Sequence, residues 1–313
     1  MAKDLSITPA HELIPYPFGL LSVASVSEYT EAQDHWARYT AHEFNSKAFA
    51  LRLLTIADQV VTNGELHDST IADAYAKRFL EYVPFGIEVE DFASALGINS
   101  QDRFERVTKI MEASTSKAVE RELWEGYAAK EASNSNGYLT KSGAATVVNV
   151  NSGGDNPRVA LARLEGALSN CPSGLRGTIH MSRRMALLMY DYLDRVDYTS
   201  RLDRDDVTEK GYGTGQILVT RLGTPVIVGT GYTGNGPSGA TGATATNTTE
   251  WMFGTGYVDA HLGAIKVVNE DLARGFTVSS NTNDIRIKAL RTAAVHFEPC
   301  CHYAVRVDFS ATV

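Results

Sequence analysis

The sequence predicts a mixed α+β fold, and three observations carry the prediction. Ser100 to Glu131 is a long segment with no Gly or Pro before Gly126. Two shorter segments open on capping residues, Asn156 and Ser182, and apolar and polar residues alternate with period two near the C-terminus.

In the long segment, Ser100 is a cap candidate and Asp102 complements the positive end of a helix. Phe104, Val107 and Met111 form one apolar stripe; Val119, Leu123 and Tyr127 form a rotated one, with Ser114, Thr115 and Ser116 between them. Such a helix bridges two packing partners. Asn156 and Pro157 fit N-cap and N1 of a second helix through about Leu168, and Ser182 caps a third through about Tyr192. The last strand is the best defined: Tyr303, Val305, Val307 and Phe309 alternate with Ala304, Arg306 and Asp308, as in a half-buried antiparallel strand. Ile285 and Ile287 alternate with Arg286 and Lys288 in the same way.

The first half is less regular. Pro9, Pro15 and Pro17 lie among Leu13, Ile14, Tyr16, Phe18, Leu20 and Leu21, which blocks a regular helix and predicts an extended arm lying on its own domain or on a neighbour. Residues 31–55 begin helical around Ala32, Trp36 and Tyr39 and then become mixed. Val60 to Ser69 reads as a projecting hairpin around Asn63-Gly64, residues 70–82 as helical, and Pro84 to Asp91 as extended. Gly229 to Thr249, rich in Gly, Thr, Ala and Asn, reads as a flexible loop.

Composition excludes several classes of function. A net charge of -8 opposes wrapping on nucleic acid, which calls for a basic stripe. No stretch approaches the roughly 20 apolar residues of a membrane helix, and the first residues lack the apolar segment of a signal peptide. Three cysteines, Cys171, Cys300 and Cys301, point to a reducing compartment rather than a disulfide scaffold.

Gly229, Gly231 and Gly234 follow a strand-like Pro225 to Val228 and spell GxGxxG, with Glu250 about 20 residues on, the letters of a dinucleotide fingerprint. Phosphate binding there needs a helix N-terminus, and Gly236, Pro237, Gly239 and Gly242 forbid the helix. His296, Cys300, Cys301 and His302 are zinc-type ligands, but adjacent strand residues face opposite ways, so buried thiols are the preferred account. Asp203, Asp205 and Asp206 around Arg204 read as a solvated loop. Neither HExxH nor GxSxG occurs, and Lys141-Ser142 lacks the glycines of a phosphate loop. Trp36, Trp124 and Trp251 read as core or interface anchors. The sequence therefore nominates no catalytic, cofactor-binding or metal residues and no cofactor; catalytic groups can still converge in the fold.

Eight segments in order carry a resemblance: PFGLLSVA (Pro17 to Ala24), HWAR (His35 to Arg38), YVPFGIEVE (Tyr82 to Glu90), ELWEG (Glu122 to Gly126), GTIHMSR (Gly177 to Arg183), LGTPVIVGTGY (Leu222 to Tyr232), FGTGYVDAHLG (Phe253 to Gly263) and AVHFEPCCHYAVRVDF (Ala294 to Phe309). With these, the chain resembles the major capsid proteins of tailed bacteriophages, which have the HK97-like fold, particularly those of phages infecting actinobacteria. The resemblance implies an N-terminal arm over residues 1–30 and an extended-loop region over 31–99, with the loop itself at about 40–84. It implies a spine helix and peripheral domain over 100–155, an axial domain over 156–266, and a return to the peripheral domain over 267–313.

The implied function is self-assembly, through pentamers and hexamers, into an icosahedral head shell that encloses double-stranded DNA, and the implied protein is not an enzyme. The implied partners are further copies of the chain, a portal, a separate scaffolding protein and a decoration protein; DNA lies close to the shell without being specifically bound, and no membrane is involved. Body-like sequence begins within about 15 residues of Met1, so either scaffolding is a separate protein or the chain is already mature; the Met1 start favours the former expectation. The implied location is the virion, after assembly in the host bacterial cytoplasm. An encapsulin-type compartment is the alternative within the same fold, and an NAD-dependent oxidoreductase using Gly229 to Gly234 the alternative outside it. Some family members cross-link Lys to Asn between subunits. Here Lys47 and Lys77 are the only lysines between Thr40 and Ser100, and Val60 to Ser69 has none, so a non-covalent shell is expected.

Overall fold

The longest helix forms where breakers are absent and ends where one appears. In the computed structural model, which describes residues 18–23, 25–29, 85–94, 100–126, 138–149, 151–171, 177–197, 216–256, 258–269, 284–297 and 301–310, that helix is Ser100–Glu125. It stops short of the Glu131 expected from the sequence because Gly126 turns the backbone left-handed, at φ 58°, and donates its N–H to Glu122 O at 2.8 Å. Tyr138 lies where a Cβ on residue 126 would sit, so glycine is required twice over. The next segment satisfies the helix's last carbonyls: Leu139 N donates to Leu123 O, and Thr140 Oγ1 to Trp124 O.

Before this helix (α2) come a single turn, α1 (Leu20–Val23), and the strands β1 (Ser25–Tyr29) and β2 (Phe85–Ser94). After it come β3 (Thr146–Val147), α3 (Pro157–Ser169), β4 (Thr178–Ser182), α4 (Arg183–Leu188) and a 3-10 turn (Tyr190–Tyr192). The strands β5 (Leu193–Asp197), β6 (Gln216–Thr220), β7 (Pro225–Gly229), β8 (Thr249–Thr255), β9 (Val258–Gly263), β10 (Lys266–Asn269), β11 (Asp284–Phe297) and β12 (Tyr303–Asp308) complete the order. The expected caps are in place. Asn156 Oδ1 accepts from Val159 N at 2.9 Å with Pro157 as the first helical residue, and Ser182 Oγ accepts from Met185 N at 3.0 Å. The helix after Ser182 ends at Leu188 and tightens into the 3-10 turn, earlier than the expected Tyr192.

Two sheets result. One is built on the long β11, which pairs antiparallel with β2 along residues 284–293, with β10 along 287–290 and with β9 along 293–297; β1 joins β9 in parallel. Because the β2 register overlaps those of β10 and β9, β2 holds the opposite edge of β11 from both. The other sheet has seven strands in the order β3-β12-β8-β4-β7-β6-β5, parallel only at β3 to β12 and at β4 to β7.

The seven-stranded sheet is covered on both faces. Ile179, Met181, Val226, Val228, Met252, Val305 and Val307 point to a core under α3 and α4, where Leu164, Leu168, Met185 and Met189 are buried. Their strand neighbours Ile217, Val219, Ile227, Trp251, Phe253 and Ala304 point the other way, into a core shared with α2 and the first sheet. The half-buried alternation of the last strand holds from Val305 to Asp308, with the valines buried and Arg306 and Asp308 partly exposed, and fails at Ala304, which is as buried as Val305. Gly254 makes the helix layer possible: a Cβ there would sit 2.9 Å from Leu164 Cδ1.

The α2 stripe is continuous. Val107, Met111, Thr115, Val119 and Leu123 are all buried, and their four-residue spacing rotates the stripe around the helix. Thr115 fits because its hydroxyl donates to Met111 O at 2.7 Å. The helix packs on β11, β2 and β10, while Trp124 at its end reaches the seven-stranded sheet, so the expected bridge between two partners is present.

The end of the N-terminal segment packs on its own chain. Phe18, at φ 67°, turns the chain into α1, and Phe18 O accepts from Val228 N at 2.8 Å. The single turn α1 lies beyond the last proline of the arm, which is why the expected block on helix does not reach it. The expected hairpin at Val60 to Ser69, the flanking helices and Trp36 lie outside the described residues.

Candidate functional site

Three buried carboxylates organise the polar interior, each at a junction of distant segments. Glu120 on α2 accepts from Leu20 N at 2.8 Å through Oε1, and from Thr230 N, Thr230 Oγ1 and Gly231 N through Oε2. It ties the entry of α1, the long helix and the segment after β7 into one point. Glu250 on β8 accepts from Ser182 Oγ and, at 3.0 Å, from Arg184 Nη1. Arg184 also donates to the carbonyls of Thr246 and Asn247, so one half-exposed guanidinium clamps the loop before β8. Asp155 accepts from Asn151 N and from the side chains of Asn149 and Asn151, with Arg163 Nε 3.6 Å away, and fixes the entry to α3 beside β12.

Beside Glu120 lies an aromatic group. Trp124 stacks on Tyr232 with centroids 3.9 Å apart and meets Phe253 and His180 edge-on at 5.2 and 5.5 Å. Tyr232 Oη donates to Trp251 O at 2.6 Å, and burial, with Glu250 second, pushes its phenol well above the usual range. Burial first, and the charge of His302 second, depress His180 to about 3. His180 Nε2 lies 2.8 Å from Thr255 Oγ1, and its Nδ1 has no hydrogen-bond partner among the described residues. Each carboxylate is thus engaged with donors that hold the fold, and among the described residues none is placed with a nucleophile and a base facing open space.

The sequence-level candidates fall as follows. Gly229, Gly231 and Gly234 lead into residues 230–248, which contain no helix, and the N–H groups of Thr230 and Gly231 are already taken by Glu120. Glu250 belongs to the Ser182 and Arg184 cluster. The flexible-loop reading of Gly229 to Thr249 is corrected: Gly236 N donates to Ala243 O, Ser238 N to Thr140 O, Trp251 Nε1 to Gly242 O and Ala245 N to Asn235 Oδ1, which pin the segment along its length.

The thiol reading is corrected as well. Cys171 and Cys301, 130 residues apart, form a disulfide, because α3 packs on β12 and carries the two positions together. Cys300, the side chain of His296, and Asp203, Asp205 and Asp206 lie outside the described residues. Among the described residues no group of three His, Cys, Asp or Glu is placed to hold a metal, and no helix is long and apolar enough to cross a membrane.

Sequence reading missed Glu120 and His180. Glu120 had a usable signal, since it lies four residues before Trp124 and so shares its buried face. His180 offered less, because every residue of β4 is buried and alternation marks neither face. Glu120→Gln is expected to cost about 1–3 kcal/mol, because an amide cannot accept on both sides and leaves a buried N–H unmatched. Denaturant midpoints of the two proteins check it.

No family model and no curated protein matches the chain. Its solved structural neighbours include phage particles and an encapsulin. The capsid structure of cyanophage P-SCSP1u aligns over 98% of this chain and 93% of its own, at 10% identity and a TM-score of 0.39. A chain of Gordonia phage Cozz aligns over 74% of this chain and 71% of its own, at 12% identity and 0.39. The holo-SrpI encapsulin complex of Synechococcus elongatus PCC 7942 aligns over 74% and 76%, at 10% identity and 0.40.

Proposed function

We infer that this chain is the subunit of a self-assembling protein shell, the head of a tailed phage, and that its work is structural. The observation that carries the reading is where the resembling segments meet. PFGLLSVA supplies Leu20, whose N–H Glu120 accepts, and Phe18, whose carbonyl accepts from Val228 of LGTPVIVGTGY. ELWEG supplies Trp124, which touches His180 of GTIHMSR, Tyr232 of LGTPVIVGTGY and Phe253 of FGTGYVDAHLG. Five strings scattered over more than 200 residues of sequence thus form one junction. A resemblance spread this way is one of architecture, since the segments that carry it meet in the packing of the fold.

In this reading residues 1–30 are the arm, 31–99 the extended-loop region, 100–155 and 267–313 the peripheral domain and 156–266 the axial domain. The surplus of acid suits a container for DNA better than a protein that wraps it. Leu187, Leu188, Tyr190 and Leu222 are exposed at 70%, 51%, 56% and 83%, and Arg221 Nη2 donates to Asp191 O at 2.8 Å, bringing the β6–β7 turn against the 3-10 turn. This apolar end of the axial domain is where copies of the chain meet.

Purified protein examined by negative stain is expected to show shells or five- and six-fold rings, and a monomer or dimer under all conditions overturns the reading. Nuclease-protected DNA inside particles from infected cells separates a phage head from an encapsulin-type compartment, which would carry protein cargo. Leu187→Asp with Leu222→Asp is expected to abolish rings and shells while changing the unfolding free energy by no more than about 1 kcal/mol, about 0.5 kcal/mol for each exposed position. Assembly of the double variant at parental yield would place the contact elsewhere.

A further inference from the structure

We propose that Cys171 and Cys301 are a redox-operated staple, added to a fold that is already complete with both residues as thiols. Three observations lead there. The two positions are set by packing independent of sulfur: Leu164 and Leu168 of α3 are buried with Val305 and Val307 of β12, and Gly254 lets Leu164 approach the sheet. Their Cα atoms are 5.6 Å apart, within the range a disulfide spans without backbone movement. The two sulfurs differ in access: Cys171 follows the end of α3 and is 8% exposed, while Cys301, before β12, is fully buried.

The asymmetry orders the chemistry. The Cys171 thiolate attacks a small-molecule disulfide, forming a mixed disulfide and releasing one small thiolate. The Cys301 thiolate then attacks the Cys171 sulfur, closing the protein disulfide and releasing the second. The protein loses two electrons and two protons, and the reagent gains them as two thiols. Once closed, the bond can be reopened only by attack at the Cys171 sulfur, because Cys301 is fully buried. The staple joins the end of α3 to the start of β12, and so locks the helix layer onto the seven-stranded sheet across a 130-residue separation. The same chain is thereby suited to folding in reducing surroundings and to gaining stability outside them.

Native protein purified under reducing conditions is treated with oxidised glutathione, alkylated after denaturation and digested for mass spectrometry. The expected product is a Cys171–Cys301 peptide pair with Cys300 alkylated. The melting temperature is expected to rise by about 3–8 °C on oxidation, as for a staple closing a long loop in a chain of this length. Cys171→Ser and Cys301→Ser should each abolish that rise, and Cys300→Ser should keep it. In Cys301→Ser a mixed disulfide should accumulate on Cys171, whereas Cys171→Ser should leave Cys301 unmodified. Three alkylated thiols after oxidation, or a pair that includes Cys300, overturn the proposal. So does a reduced protein that is unfolded, because the fold must come first. Should Cys301→Ser fail to fold, Cys171→Ser at the more exposed position still tests the rise.

Discussion

Trp124→Ala is expected to destabilise the chain by about 3–5 kcal/mol, the range for removing a large aromatic ring from a packed core. The indole is 2% exposed and stacks on Tyr232, with Phe253 and His180 against its edges. No single neighbour can close the void, because Phe253 and His180 are fixed on adjacent strands and Tyr232 is held through its hydroxyl to Trp251 O. The ring also lies one helical turn from Glu120, so a cavity there loosens the carboxylate that joins three segments. Trp124→Phe restores part of the stack and is expected to lose less. Urea midpoints of the three proteins check the ranking; an unchanged midpoint for the alanine variant would mean that the ring is not buried.

What the sequence made legible is what local chemistry decides. Asn156, Pro157 and Ser182 announce their helices because a cap is satisfied within three residues, and the structure forms those bonds. Gly126 was visible too, but as an interruption rather than an end: its role as terminator depends on Tyr138 filling the space a side chain would need. The final strand shows where local pattern fails. Val305 and Val307 alternate with Ala304, Arg306 and Asp308, a one-sided strand by pattern, yet the first core covers Ala304 as well. Alternation reports hydrophobicity and not coverage, and coverage is set by residues far away in the chain that join the same core.

The polar junctions were illegible for the same reason. Glu120 and Gly231 are 111 positions apart, and Cys171 and Cys301 are 130 apart. Their partners are chosen by sheet topology, which no spacing rule encodes. The glycine fingerprint lacks the helix that a phosphate site needs. What fills its N–H groups is a carboxylate of the chain itself, Glu120 on α2, which the letters of the motif do not encode. Both the rejected motif and its actual use follow from the same donors, since an exposed pair of N–H groups takes whatever anion the fold presents.

Acidification is expected to weaken this fold well before its carboxylates are protonated, and His180 is the cause. Its folded value lies at about 3 against 6.5 in the unfolded chain, because burial penalises the charged ring and the neighbouring His302 adds to the penalty. Below pH 6.5 the unfolded chain takes up a proton that the folded chain refuses. Stability from this one group therefore falls by about 1.4 kcal/mol for each pH unit below 6.5, approaching a loss of about 5 kcal/mol near pH 3. Thr255 Oγ1, at 2.8 Å, serves the neutral ring as acceptor or donor according to tautomer, so the interaction adapts to the imidazole but offers no anion to an imidazolium. The measurement is a series of urea midpoints for the parent and for His180→Gln between pH 7 and about 5.5, above the range where most carboxylates titrate. The variant starts lower, having lost ring packing against Trp124, but its stability should decline less steeply with acid, and the two curves should converge as pH falls. Parallel curves would show that His180 ionises freely in the folded chain, and that the acid response belongs to another group.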